Sequence, residues 1–419
     1  METNTKEPQS QATEERRYRH WRRNANTIAV GNLLTNLGWT AAFAFLPLVV
    51  QDMKTGGRLE LWVGMISFGY FSMSCLFTPV WGVLADHYGR KSMVLRAGLG
   101  MGVGFTLTSF VDDPLHLLLV MMLVGLANGY VPAGQVLVAT NTPRDKAGGA
   151  LAFTQSFAWI GNMLGPMAGA VLIGFLSRPG DLFILAGATT MSAGLLALFL
   201  LREGHVRPAH PLQFNMRADL KRLWQVPQLM LLYYMNLTFA FTVFGANVVV
   251  SLLAIRLLEP MPGYGGYSVA TWIAAPAVGF TIVSVVILPF WGRVLNRHEP
   301  ARVLKWQLSG SFATSLLLPL VQDPLQLTLA RVLFAVFVAG LTPTLIRMVR
   351  ERAPKGMDAR TLSYGTAVQQ MGSATAPLVA GVMAPYLGLR AYFVLASCML
   401  LAALVLWSRV ARQSGAQPH

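Results

Sequence analysis

The sequence predicts an all-α membrane protein: twelve transmembrane helices arranged as two pseudo-symmetric six-helix bundles. Three observations predict it. The 419-residue chain is 54% hydrophobic and only 12% charged, with a mean hydropathy of +0.50; a soluble domain carries about 25% charged residues. Apolar stretches near the ~20 residues that span a bilayer as a helix recur at 27–50, 61–84, 93–111, 115–140, 150–176, 180–201, 228–256, 268–292, 301–321, 325–346, 362–387 and 391–408. Finally, the second half repeats the first at an offset of 210 residues.

The repeat holds at separate points. Pro79-Val80-Trp81-Gly82 matches Pro289-Phe290-Trp291-Gly292, and Asp113-Pro114-Leu115 matches Asp323-Pro324-Leu325. With one residue inserted, the small residues and proline of Gly161…Gly165-Pro166…Gly169 match Gly372…Ala376-Pro377…Ala380. Two homologous bundles with a site between them near the bilayer midplane is a recurring transporter plan. The expected divisions are a tail (1–26), a first bundle (27–202), a linker (203–227), a second bundle (228–409) and a final tail (410–419). The first 20 residues are polar and mixed in charge, the composition of a disordered tail, and no cleavable signal peptide is visible. In the linker, Phe214, Leu220, Leu223 and Trp224 follow Pro208 and Pro211 at near-helical spacing. A tether that is partly an interfacial amphipathic helix fits this pattern, and so does a plain loop.

The net charge of +15 raises the question of nucleic acid, and its distribution answers it. If both termini are cytoplasmic, so is every second loop. That assignment puts 27 of the 33 basic residues inside, Arg90, Lys91 and Arg96 among them, against Lys54, Arg58, Arg178, Arg256 and Arg390 outside. This is the positive-inside pattern, and no nucleic-acid partner is expected. The partner is membrane lipid, with Arg16 to Arg23 and Trp21 at anionic headgroups. Cys75 and Cys398 fall within predicted helices, so no disulfide is expected. No phosphate-binding glycine loop, metal-ligand cluster or nucleophile constellation is present, and neither an enzyme nor a cofactor is expected.

The charged turn after the second helix, Gly82-Val83-Leu84-Ala85-Asp86-His87-Tyr88-Gly89-Arg90-Lys91, is not packing filler. Gly82 lets helices approach, Gly89 permits a tight turn, and Asp86 is placed to meet a helix N-terminus or an arginine. Such a contact can exist in one conformation and break in another. In the fifth helix Gly161, Gly165 and Gly169 recur every four residues on one face, the arrangement for close helix packing, while Pro166 invites a bend.

Gly82-x-x-Ala85-Asp86-x-x-Gly89-Arg90-Lys91 resembles the conserved loop motif of the major facilitator superfamily. Gly161-Asn162-Met163-Leu164-Gly165-Pro166-Met167-Ala168-Gly169 resembles the motif of its drug:proton antiporter group, and the resemblance runs through the whole chain. It implies that Asp86 and Arg90 help stabilise an outward-open state, and that the motif of Gly161, Gly165, Pro166 and Gly169 lies at the interface between bundles. It also implies a bacterial inner membrane, a small-molecule substrate and protons as the coupling ion; a monomer is expected.

Two features depart from that pattern. Antiporters of this group place an arginine in the fourth helix, where this chain has Met121; the second-half counterpart, Arg331, is basic. All 18 acidic residues fall in tails, loops or helix ends, the deepest being Asp52, Glu60, Asp112, Asp181 and Asp323. No buried proton carrier is evident, which leaves Asp86 and the outer carboxylates as candidates. Arg331 then reads as the sole charge well inside a span. Such a charge costs about 2.5–3.5 kcal/mol on the mild insertion scale, so Arg331 should face protein or a watery cavity. Binding an anionic substrate group and a purely structural role both suit it.

Polar and aromatic residues mark the expected cavity wall: Asn32, Asn36 and Trp39 in helix 1; Asn128 and Gln135 in helix 4; Gln155 and Trp159 in helix 5. Tyr234, Asn236 and Asn247 in helix 7 and Gln369 and Gln370 in helix 11 complete the set, with Arg331. Unpaired buried amides are costly, so each should meet water, substrate or another helix. The expected function is export of small amphipathic molecules, drugs or a secreted metabolite such as a siderophore, by alternating access with proton antiport. The alternatives are uptake of a small anionic nutrient through Arg331 and a non-transporting membrane sensor or scaffold.

Overall fold

The computed structural model describes residues 18–53, 55–203, 221–354 and 357–415. Most of the expected N-terminal tail and of the amphipathic linker segment therefore lie outside the described residues. Among the described residues the helices form twelve spans. The first bundle has Trp21–Phe43 with Leu46–Gln51 (span 1), Leu59–Tyr88 (span 2), Arg90–Thr108 (span 3), Pro114–Ala127 with Tyr130–Asn141 (span 4), Arg144–Leu172 (span 5) and Leu182–Leu200 (span 6). The second has Pro227–Thr242 with Ala246–Leu258 (span 7), Val269–Arg297 (span 8), Pro300–Ser315 (span 9), Pro324–Val338 with Leu341–Glu351 (span 10), Asp358–Leu387 (span 11) and Arg390–Gly415 (span 12).

Seven of these, spans 2, 4, 6, 7, 8, 10 and 12, are long and apolar enough to cross a bilayer by length and composition alone. The other five are equally helical but diluted with Gly, Ser, Thr and Asn, the residues that let membrane helices approach closely. Several helices run past the predicted apolar stretches into basic residues. Span 1 begins at Trp21 rather than 27, span 5 at Arg144 rather than 150, and span 8 continues to Arg297. A helix satisfies its own backbone wherever it ends, and long basic side chains carry their charge to water, so apolar run length understates helix length.

Spans 1, 4, 7 and 10, each the first of a three-span unit, are broken into two helices. In span 4 the break is made by Asn128 and by Gly129 at φ 136°, a conformation that any side chain would strain. The repeat survives in three dimensions as hydrogen bonds. Trp81 Nε1 donates to the Leu126 carbonyl at 2.7 Å, and Trp291 Nε1 donates to the Val336 carbonyl at 2.7 Å. Asp113 and Asp323 each cap the helix that follows, with proline in its first turn, the arrangement that leaves fewest orphaned donors at a helix start.

Both described chain ends lie on one face, here the tail face; the opposite is the far face. One apolar core spans both bundles at the far face. It joins Phe45, Leu46, Val50, Val63 and Ile66 to Val249, Leu253, Ile273, Ala376 and Ala380. Toward the tail face the core divides. Ile28, Val94, Tyr130 and Leu137 belong to the first bundle, and Leu232, Leu304, Leu345 and Trp407 to the second. The bundles are therefore cemented at the far face and packed separately at the tail face.

Candidate functional site

Spans 2 and 11 form a main seam between the bundles. Near the far face the two backbones touch through reciprocal notches. A Cβ on Gly64 would lie 2.5 Å from the Pro377 carbonyl oxygen, and one on Gly381 would lie 2.5 Å from the Glu60 carbonyl oxygen. Midway along, Gln370 Nε2 donates to Ser74 Oγ at 3.2 Å, and Asn128 Nδ2 donates to the same oxygen at 2.8 Å. One hydroxyl thus links spans 4, 2 and 11 across the bundles. Cys75 Sγ approaches the Ala367 carbonyl at 3.5 Å just beyond. Closer to the tail face the pattern changes: Gly82 and its repeat partner Gly292 both face open space.

The turn after span 2 is built on Gly89, at φ 90° and ψ 150°, a region essentially restricted to glycine. It turns the chain directly into span 3. The first backbone amides of that helix, Arg90 N and Lys91 N, donate to the Glu203 carboxylate at 3.1 and 2.7 Å. An anion at a helix N-terminus satisfies orphaned donors and complements the helix dipole. Lys91 Nζ donates to the Leu198 and Leu201 carbonyls at 2.8 and 2.7 Å, where a cation at a helix C-terminus is favoured. Glu203 thereby ties the start of span 3 to the end of span 6; at the edge of the expected linker, it carried no motif that would single it out. Asp86 lies in the last turn of span 2 by its backbone; its side chain is outside the described structure.

The fifth-span glycines face span 1 of their own bundle. A Cβ on Gly161 would lie 2.5 Å from the Leu33 carbonyl oxygen, one on Gly165 2.6 Å from that of Leu37, and one on Gly169 2.7 Å from that of Ala41. Span 5 also runs along span 8 of the other bundle. The helix thus borders the second bundle, while the glycines that the resemblance places at the interface between bundles pack within their own.

Arg331 is fully buried. Its guanidinium donates to Asn247 Oδ1 at 2.9 Å and the Thr242 carbonyl at 3.4 Å, and lies 4.7 Å from the Phe280 ring centroid. The break in span 7, between Thr242 and Ala246, supplies the carbonyl. Asn247, expected on the cavity wall, is exposed and is also the partner of Arg331. Nor is Arg331 the sole charge inside a span. Arg96 lies six residues into span 3, about 9 Å at 1.5 Å per residue. Its guanidinium sits 3.6 Å over the Trp81 ring centroid and donates to the Ala127 and Asn128 carbonyls at 3.1 and 3.3 Å. Its closeness to Arg90 and Lys91 disguises it as one more loop residue. The acidic expectation also needs correction, because Glu60 is 7% exposed. It is buried because the other bundle covers it: Arg256 of span 7 pairs with its carboxylate, Nε to Oε1 at 2.9 Å. Partners separated by 196 residues leave no local pattern in a sequence.

The remaining candidates separate into two groups. Asn32 is fully buried, donating to the Thr154 carbonyl at 3.1 Å between spans 1 and 5, so it does not line an open cavity. Gln135 pairs with Gln155 between spans 4 and 5, and Tyr234 donates to the Met399 carbonyl at 3.2 Å between spans 7 and 12. Asn36 and Asn236 bond their own helices and stay half-buried, as do Trp159 and Gln369. Trp39 stacks on Phe43 and Tyr70 at centroid distances of 4.0 and 4.5 Å and meets Phe71 edge-on at 6.1 Å. On the tail face, burial and then the nearby Arg202, Arg23 and Arg19 hold the His20 imidazole below its ordinary value.

Twelve spans in two pseudo-symmetric bundles, cemented at one face and jointed at a shared seam, define a multi-pass membrane protein of the transporter class. The Major Facilitator Superfamily sequence family matches residues 28–283 and 263–418, and the chain belongs to it. Similar proteins include the Multidrug resistance protein MdtG of Escherichia coli O9:H4 (strain HS), 29% identical over 402 residues, covering 94% of this chain and 96% of that protein. The MdtG protein of Klebsiella pneumoniae (strain 342) is 29% identical over 388 residues, covering 91% and 92%. Among solved structures, a mutant of the nucleoside transporter NupG superposes with a TM-score of 0.74 at 12% identity, covering 91% of this chain and 99% of that one. The human organic anion transporter MFSD10 (TETRAN) superposes with a TM-score of 0.70 at 18% identity, covering 92% and 99%. These two likenesses establish the fold.

Proposed function

We propose that this protein is a secondary transporter that exports small amphipathic molecules, drugs or a secreted metabolite, by alternating access, driven by proton antiport. The observation that carries the reading is the difference between the two faces: one shared core at the far face, two separate cores and open glycine notches at the tail face. Packed interfaces are bistable rather than continuously deformable, so a seam of this kind has two arrangements, and the shared far-face core supports reading this one as open toward the tails. The concentration of basic residues on the tail face supports a cytoplasmic assignment for both termini in a bacterial inner membrane, and hence an inward-facing state. Export of drug-like compounds is supported by similarity to proteins named for multidrug resistance. A half-buried aromatic and amide set on the helices around the seam, Asn36, Trp39, Phe71, Asn236 and Gln369, suits ligands with apolar bodies and a few polar groups. Uptake of an anion through Arg331 is not favoured, since Asn247, the Thr242 carbonyl and Phe280 already enclose that guanidinium.

The test uses everted membrane vesicles and a panel of cationic, neutral and anionic amphipathic compounds. Uptake into energised vesicles that dissipates the pH gradient is the expected result. No uptake of any compound in vesicles, together with accumulation by intact cells, would overturn export.

A further inference from the structure

Glu60 is the one buried acid among the described residues whose side chains are placed. It sits in the first turn of span 2, on the far face, and its partner Arg256 stands at the end of span 7 in the other bundle. Both Arg256 Nε and Nη2 reach Glu60 Oε1, at 2.9 and 2.5 Å. Arg256 also holds Glu259 through Nη1 at 3.0 Å, so one guanidinium is shared between an acid of its own bundle and one across the seam. Span 11 presses Gly381 against the Glu60 backbone. The other charged residues nearby in sequence are Asp52 and Lys54 before span 2 and Arg58 at its N-cap.

We propose that the Glu60–Arg256 pair is the far-face latch of the transport cycle, and that Glu60 gates this face without carrying the coupled proton. The proposal rests on the transport reading above. The pair forms only while the far face is shut, because its two halves belong to the two bodies that must part. When they part, Arg256 keeps Glu259 while Glu60 loses its partner, so Glu60 senses the closed state. Charged Glu60 therefore favours the far-closed, inward-facing arrangement, and removing its charge removes the attraction and favours opening.

The sign excludes Glu60 as the antiport carrier. A proton-driven exporter must return from outward-facing to inward-facing in its protonated form, and the deprotonated, substrate-loaded form must move outward. Glu60 biases each step the opposite way. What it does suit is a resting state that faces the cytoplasm when no substrate is bound and keeps the far face shut. Substrate binding then has to overcome the pair.

The experiment places spin labels at Phe110 and Tyr386, exposed far-face positions in the first and second bundle, on full-length protein in lipid nanodiscs with Cys75 and Cys398 replaced. Glu60→Gln should raise the far-open population about tenfold or more. The charge-reversed double variant, Glu60→Arg with Arg256→Glu, should recover closure relative to either single change. In proteoliposomes Glu60→Gln should still move protons against substrate. An unchanged distance distribution in Glu60→Gln, or a reversed pair no better than the single variants, overturns the latch. Loss of proton movement with substrate exchange intact would make Glu60 the carrier and overturn the second half. Absence of proton movement in the native protein would instead sink proton antiport, with the distance measurement still deciding the latch.

Discussion

Adding one methyl group at Gly381 should shift the conformational equilibrium without unfolding either bundle. The new Cβ would sit 2.5 Å from the Glu60 carbonyl oxygen and 3.0 Å from Leu61 Cα. Both are backbone atoms, which cannot rotate away. Ordinary contact needs about 3.5 Å, so spans 2 and 11 must part by roughly 1 Å at the far face. Overpacking of this kind costs about 1–3 kcal/mol. Because spans 2 and 11 belong to different bundles, the penalty falls on the far-closed state and not on the far-open one. A difference of that size changes the ratio of two states roughly 5- to 150-fold. Gly64→Ala should behave alike, since its Cβ would meet the Pro377 carbonyl oxygen at 2.5 Å. The control is Gly165→Ala, whose Cβ would meet the Leu37 carbonyl oxygen at 2.6 Å. That clash lies within one bundle and persists in both states, so it should lower thermal stability and leave the ratio alone. Spin-label distances across the far face measure the ratio, and thermal unfolding of the detergent-purified protein measures stability. If Gly381→Ala leaves the distances unchanged, or Gly165→Ala shifts them as much, the assignment of these notches to different bodies is wrong.

Two further expectations come from buried polar contacts, and a third from the charged turn after span 2. Asn247→Ala removes the amide acceptor from a fully buried Arg331 and should cost about 1–3 kcal/mol, read as a lower unfolding temperature; Asn247→Asp, which keeps an acceptor, should be milder. Trp81→Leu and Trp291→Leu each delete an equivalent hydrogen bond, but only Trp81 also stacks on Arg96, a contact worth about 0.5–2 kcal/mol. The first should therefore be the more destabilising, and equal losses would remove the stack from the account. Asp86→Asn should lower transport far more than the amount of folded protein in the membrane, with loss of both together pointing to a merely structural turn.

How much of this was legible beforehand depended on range. The fold followed from composition, apolar length and the 210-residue repeat, because lipid demands helices whose backbones satisfy themselves and duplication leaves residues such as Trp81 and Trp291 at a fixed offset. Even there, five spans diluted with small and polar residues fall short of the length and apolarity of the other seven. The turn at Gly89 and the small-residue face of Gly161, Gly165 and Gly169 were readable for the same reason: their chemistry is local, set by φ or by four-residue spacing.

Partnerships were not readable. Asn247 shows no link to Arg331 until the fold sets the two side by side, and Arg96 looks like a loop residue until the helix start is fixed at Arg90. Glu60 counts as one more helix-end acid until Arg256 covers it from the other bundle. By itself the sequence determined which segments are helices and that they come in two copies, since propensity, hydropathy and periodicity act between near neighbours. Only the tertiary structure decided which polar groups are paired, which glycines touch backbone and which face is shut, because those depend on contacts between residues far apart in the chain, where no local pattern reaches.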